Sequence, residues 1–196
     1  MLEMARTLFP QSGEAPVVWQ EGNVVALPFP PAAFDVVFCQ QGLQFFPDKP
    51  AALREMRRAV RDGGRVGIAC WAPIDTQPMF AAMARALESY LGDDGERGYR
   101  AGPWGLTDAD ELGRLVEGAG FSEVRVEQRL LPVKFDDAVA QLITMASFMP
   151  VGEQLKTFDD ARCEAFVRVL GRELGSLLDD GSVTSDTVSN VALGRA

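Results

Sequence analysis

The stretch AFDVVFCQQGLQFFPD, residues 33–48, is apolar on both faces over residues 36–39 and then stops at two glutamines, Gln40 and Gln41. A strand apolar on both faces is buried on both faces, which is how strands of a parallel sheet read. Asp48 caps the helix that follows, and Pro50 lies in its first turn, where a missing N–H costs nothing. Leu53, Met56 and Val60 form the inner stripe of that helix, and Arg57, Arg58 and Arg61 crowd its carboxyl end, where the helix dipole favours cations. Asp62, Gly63 and Gly64 end it, and residues 66–71 form a second apolar run. Residues 34–71 are therefore expected to form strand, crossover helix and parallel strand. Such crossovers are right-handed, and ligands sit at the carboxyl ends of their strands.

Composition narrows the chemistry. The 196 residues make one domain at about 100–200 residues per domain. The 47% hydrophobic and 24% charged content is that of a globular protein. The net charge is −9, and no basic run exceeds the pair Arg57-Arg58, so a nucleic-acid backbone is excluded as partner. No apolar run approaches the ~18 residues of a membrane span and no signal-peptide pattern opens the chain, so a cytoplasmic location and no membrane partner are expected. There is no histidine, which removes Ser-His-Asp, Cys-His and His-ligated metal chemistry. Cys39, Cys70 and Cys163 match no metal-binding spacing and read as reduced, partly buried thiols. No metal site is expected. Reactivity must come from a bound cofactor or from carboxylates, Tyr, Lys and Arg.

Elsewhere, Leu2, Ala5, Leu8 and Phe9 have helical spacing, ended by Pro10 and Ser12-Gly13. Val17, Val18 and Trp19 form a short strand candidate. A helix is expected over residues 79–91, a glycine-rich loop over 92–105, and a helix opened by a Thr107/Asp110 capping box and running to 118. A strand over 124–131, helices over 137–148 and 159–178, and a final strand over 187–193 complete an α/β layered sheet.

Residues 22–71, with the FDVV strand, Gly42-Leu43, the Phe45–Asp48 turn and Asp62-Gly63-Gly64, resemble the fourth-strand region of class I S-adenosylmethionine-dependent methyltransferases. The likeness is greatest to the ubiquinone and menaquinone methyltransferase group. GNVVALPFP, residues 22–30, resembles that family's adenine-side loop; residues 107–127 resemble its next helix and sixth strand, and residues 186–196 its last strand. The resemblance implies an α/β Rossmann-like sheet of order 3-2-1-4-5-7-6 with an antiparallel last strand. It implies one partial domain over residues 1–196, in which residues 132–182 form a helical insertion or lid between the last two strands. The family's glycine-rich first loop and the acidic end of its second strand have no counterpart. The chain is thus expected to be N-terminally truncated, lacking the first two strands and starting about 50–80 residues into the domain.

The resemblance further implies S-adenosylmethionine as cofactor, with binding by this chain in question, and methyl transfer to a small-molecule acceptor. Asn23 and Val24 would meet the adenine, Met1 the adenine or ribose, and Cys39, Gln40 and Gln41 the amino-acid end. Asn23 also reads as an ordinary turn residue bonding its own backbone. Gln44 stands where the family often has a histidine and cannot act as a base, so the catalytic residues stay unknown. Phe45 and Phe46 read as core, while Met145, Phe148, Met149, Trp71 and Trp104 are candidates to line a substrate pocket. An unpaired fourth strand would be an apolar edge, met by the strand near Val17 moving over it or by homo-oligomerisation. Two other readings stay open: a non-catalytic fragment that dimerises or complements a partner, and a nicotinamide-dependent reductase, which shares the sheet but fits the fourth-strand motif less well.

Overall fold

The computed structural model describes residues 2–8 and 17–196. Helix α1 (Leu2–Leu8) precedes strand β1 (Phe34–Gln40), helix α2 (Lys49–Ala59) and strand β2 (Val60–Trp71). The expected unit is present: β1 and β2 pair in parallel from Val36↔Arg65 to Gln40↔Ala69, with α2 as the crossover. Asp48 caps α2 by accepting from the Ala51 N–H at 2.8 Å. Leu53, Met56 and Val60 are buried as the stripe requires. The helix ends at Ala59 rather than at the glycines, because β2 begins directly at Val60. Its first residues form an irregular lead-in, where Phe34↔Val60 and Val36↔Arg65 are separated by a bulge.

After β2 come α3 (Pro78–Leu91), α4 (Asp93–Arg100), α5 (Ala109–Gly118) and β3 (Ser122–Phe135). Then follow α6 (Ala138–Ser147), the short α7 (Gly152–Leu155), α8 (Asp160–Leu174), the two-residue β4 (Leu178–Asp179) and β5 (Ser182–Arg195). The sheet order is β1-β2-β5-β3, with β4 paired to β5. β5 is antiparallel to both β2 and β3. The expected Rossmann-like sheet with an antiparallel last strand is what forms.

Three local expectations need correction. Residues 92–105 are not all loop: α4 fills most of them. Asp93, Asp94 and Glu96 in its first turn and Arg97 and Arg100 in its last complement the helix dipole, and Tyr99 is buried. The cap of α5 is Asp108, not Thr107; its carboxylate accepts from the Asp110 and Glu111 N–H groups at 2.8 and 3.0 Å. Residues 17–19 are not a strand. Among the described residues no strand pairs with the outer edge of β1.

Two apolar cores result. One joins the sheet to α2 and α5 through Cys39, Leu53, Met56, Val66, Ile68, Cys70, Leu112 and Ala192. The other joins α3, α4, α6 and α8 to the outer end of the β3–β5 ladder through Met83, Leu87, Tyr99, Leu142, Phe166 and Val183. Among the described residues no helix packs on the opposite sheet face. There Val36, Phe38, Arg65, Leu193, Arg195, Glu123 and Arg125 line a trough of about 420 Å³.

Gly64 is the tightest point of the β1–β2 junction. A Cβ there would lie 2.7 Å from the Asp35 carbonyl, 2.8 Å from the Arg61 carbonyl and 2.6 Å from Val60 Cγ2. Two of these neighbours are backbone and cannot turn aside. Gly64→Ala is expected to destabilise the fold by about 1–3 kcal/mol, read as a fall in the chemical-denaturation midpoint.

The loop over residues 22–33 is clamped to α2 by one ion pair. Glu55 bonds Arg58 at 2.7 and 2.8 Å and accepts from the Leu27 N–H at 2.9 Å, while Arg58 donates to the carbonyls of Leu27 and Phe29. The Arg58 bond, helped by the Leu27 amide, lowers the Glu55 carboxyl to about 2. A depressed carboxylate stabilises above its ordinary value near 4.5, and that contribution fades as the pH falls through about 2. The protection of the Leu27 amide against exchange, relative to its intrinsic rate, should stay high at neutral pH and fall as the pH drops below about 4.5 toward 2. In Glu55→Gln that pH dependence should vanish.

Candidate functional site

At the carboxyl end of β1 three consecutive residues diverge. Cys39 points into the sheet–helix core, and Gln40 is exposed on the other face. Gln41 turns the chain with a φ of 51°, and its N–H still reaches the Ala69 carbonyl at 2.8 Å. Its side-chain amide donates to Ser189 Oγ at 2.9 Å, and its Oε1 accepts from Gln44 Nε2 at 3.3 Å. Among the described residues the Gln40 amide has no hydrogen-bond partner. Gln40 is thus exposed with an unbonded amide, Gln41 organises its neighbours, and Cys39 faces the core.

The thiols are held neutral. Burial raises Cys39, against weaker opposing contacts from the backbone N–H groups of Leu43 and Gly42. Burial, with Cys39 close by, pushes Cys70 up to about 12. Neither is a nucleophile at neutral pH.

Asn23 and Val24 lie in the clamped loop. Asn23 Oδ1 accepts from the Val25 N–H at 3.1 Å and the Asn23 carbonyl from the Ala26 N–H at 2.9 Å, so the side chain shapes its own turn while remaining exposed. Val24 is half-buried against the sheet–helix core. Among the described residues no hydrogen bond joins this loop to Gln40 or Gln41. Met1 lies outside the described residues.

Residues not singled out from sequence complete the site. Gln77 is fully buried just before α3, and its amide donates to the Ala72 carbonyl at 3.0 Å and the Val188 carbonyl at 3.2 Å. Asn190, also buried, donates to the Thr107 carbonyl at 2.7 Å and accepts from Gln128 Nε2 at 3.2 Å, tying the segment before α5 to β5. Their signal was a polar residue at an otherwise apolar position: Gln77 between a short turn and Pro78, and Asn190 within the alternation of β5. Trp71 and Trp104, candidate liners from sequence, both contact Phe80, with ring centroids 6.1 and 5.7 Å apart. Trp104 also stacks on Tyr99 at 5.2 Å. Met145 and Met149 pack against the helical core instead, and Phe148 is exposed. Phe45 is exposed and Phe46 partly buried against the sheet–helix core.

Among the described residues no group of three or more Cys, Asp or Glu side chains could hold a metal ion, and no helix is long and apolar enough to cross a membrane. The arrangement offers amides, hydroxyls, indoles and backbone groups at the end of a parallel strand pair. It can bind and orient neutral polar groups, and it supplies no proton acceptor that titrates near neutrality.

The methyltransferase-domain family model matches residues 1–68. A demethylmenaquinone methyltransferase of Mycolicibacterium vanbaalenii is 35% identical over 122 residues, covering 53% of this chain and 50% of that protein. One from Lactococcus lactis is 30% identical over 142 residues, covering 65% of this chain and 54% of that protein. An uncharacterised protein of Mycobacterium tuberculosis is 33% identical over 123 residues, 62% of this chain and 43% of its own length. The chain thus spans about half the length of these curated relatives. Among solved structures, the YcgJ protein of Bacillus subtilis superposes with a TM-score of 0.59 at 17% identity, over 100% of this chain and 77% of that one. This likeness confirms the fold. The matched family model, the relatives and the topology agree in making this chain similar to class I S-adenosylmethionine-dependent methyltransferases.

Proposed function

We propose that the chain forms the acceptor-side part of an S-adenosylmethionine-dependent methyltransferase acting on a small molecule. The observation that carries this is the end of the parallel β1–β2 pair. It delivers the unpartnered Gln40 amide and the Gln41–Ser189 pair to the place where such sheets bind ligands. The residues fit the cofactor in part. Gln40, beside Gln41, would hold its amino-acid end. Asn23, whose oxygen keeps a second lone pair, and Val24 would hold the adenine. When bound, the cofactor supplies an activated methyl on a sulfonium. The chain's own contribution is alignment and exclusion of water, since Gln44 cannot take a proton. The acceptor must bring its own nucleophile. The helices between β3 and β5 would roof it as a lid.

Titration with S-adenosylhomocysteine by calorimetry tests this reading. Binding is expected, weakened about tenfold in Gln40→Ala, the usual cost of one hydrogen bond to a charged group. No heat at millimolar ligand overturns it.

A specific observation favours a second, compatible reading, that two copies pair through β1. Its outer edge is unpaired among the described residues, and Phe38 is 76% exposed beside the half-exposed Val36. An antiparallel pairing centred on Val37 would set Val36 of each copy opposite Phe38 of the other, so the apolar register is self-complementary. Sedimentation should show a mass of two chains that Phe38→Lys shifts to one. A single-chain mass at high concentration rules the pairing out.

A further inference from the structure

Four buried side-chain polar atoms have no hydrogen-bond partner among the described residues: Gln44 Oε1, Gln77 Oε1, the Tyr99 hydroxyl and Trp104 Nε1. Gln44 is 5% exposed, and Gln77 and Tyr99 are 0%. Folded proteins leave few such groups, since each one costs the hydrogen bond it gave up to water. These four are not scattered. Gln44 is linked through Gln41 to Ser189, and Gln77 bonds the carbonyl of the adjacent Val188. Ser189 pairs with Trp71 across the ladder, and the ring chain Trp71–Phe80–Trp104–Tyr99 closes the other side. The backbone of Gly105 approaches that of Gln44, where a Cβ would lie 3.5 Å from its carbonyl oxygen. That brings the Trp104 segment against the Gln44 turn.

We infer that this cluster is the acceptor chamber of the methyltransferase, built for an uncharged planar molecule that carries at least two N–H or O–H donors and a carbonyl-type acceptor. The inference rests on the methyl-transfer reading and names its substrate class. The two amide oxygens can only accept, so the ligand must donate twice. The indole N–H can only donate, so the ligand must also accept. The tyrosine hydroxyl does either. The aromatic walls select a flat ring system. None of the side chains that carry or link the four atoms is charged, so a carboxylate, phosphate or ammonium would be stripped of water without a counter-charge. Entry requires the Trp104 segment to swing, and it is flanked by Gly102, with a φ of 145°, and Gly105.

The test uses quinazoline-2,4-dione, which has two N–H donors and two carbonyls. Its 1,3-dimethyl derivative, with no donors, and naphthalene-2-carboxylate, which is charged, are the controls. Binding is read by quenching of tryptophan fluorescence, with and without S-adenosylhomocysteine. The dione should bind at least tenfold tighter than either control. Tyr99→Phe and Gln44→Met should each weaken it several-fold while holding or raising the melting temperature, because each removes an unpaired buried group. A purely structural role would lower the melting temperature and leave the dione affinity unchanged, which overturns the inference, as does equal binding of the dione and its dimethyl form. Dione binding without S-adenosylhomocysteine binding leaves the chamber standing and removes the methyl-transfer reading. The reverse result removes the chamber alone.

Discussion

Strand β5 divides its backbone hydrogen bonds between two neighbours, and the division is uneven. Residues 189–195 lie between β2 on one side and β3 on the other, whereas residues 184–188 pair with β3 alone. The inner half makes the sheet, with Ala192 in the sheet–helix core, and the outer half supports the helical core through Val183. Where β2 stops at Trp71, backbone groups of β5 lose their strand partner. Buried backbone groups must be paired. The Ala72 N–H and the Gln77 amide therefore both reach the Val188 carbonyl, and Gln41 reaches Ser189 Oγ. The amides at the candidate site are there because a ladder ends there.

This accounts for how far the sequence could be read. The β1–α2–β2 unit was legible because each signal in it is local: an apolar run, Asp48 as a cap, a stripe at helical spacing, glycines at the bend. The last strand was legible from its alternation. What failed depended on neighbours. Val17, Val18 and Trp19 have the composition of a strand, but the backbone there takes no strand conformation. The helix over residues 93–100 was hidden by its glycines, Gly95 and Gly98. Gly95 is in fact buried, and a Cβ there would lie 2.6 Å from Leu91 Cβ and 3.0 Å from the Leu87 carbonyl. At the site, Gln40 and Gln41 could be found as polar residues ending a buried strand. Gln77 and Asn190 showed only as polar residues at apolar positions and Tyr99 not at all, because only the packing of α3, α4 and β5 brings them there.

The absence of histidine has a structural counterpart at the same place. Two thiols, Cys39 and Cys70, occupy the strand ends, yet burial keeps both protonated at neutral pH. The strand ends are thus polarised by dipoles without carrying charge. Such a setting suits a reaction in which the transferred group arrives already activated, because the protein then needs to supply position and dryness rather than proton transfer.

The open sheet face follows a different rule. Along β3, Arg125, Glu127 and Arg129 alternate on that face as an ion-paired row, and Arg195 pairs with Glu123 at 2.9 Å. Exposed pairs of this kind contribute little stability, but charges on a sheet face discourage indiscriminate stacking. β1 lacks that protection along its centre. Its ion pair, Asp35 with Arg61, stands at the start of the strand, and the Phe38 ring lies over Gly67, where a Cβ would come within 2.7 Å of it. The missing side chain of Gly67 seats the ring flat on the sheet and leaves its outer surface to solvent. A face charged at one side and apolar at the other cannot be satisfied by nonspecific collapse. In the pairing proposed above, Val36 and Phe38 would be buried while the arginine row stays in water.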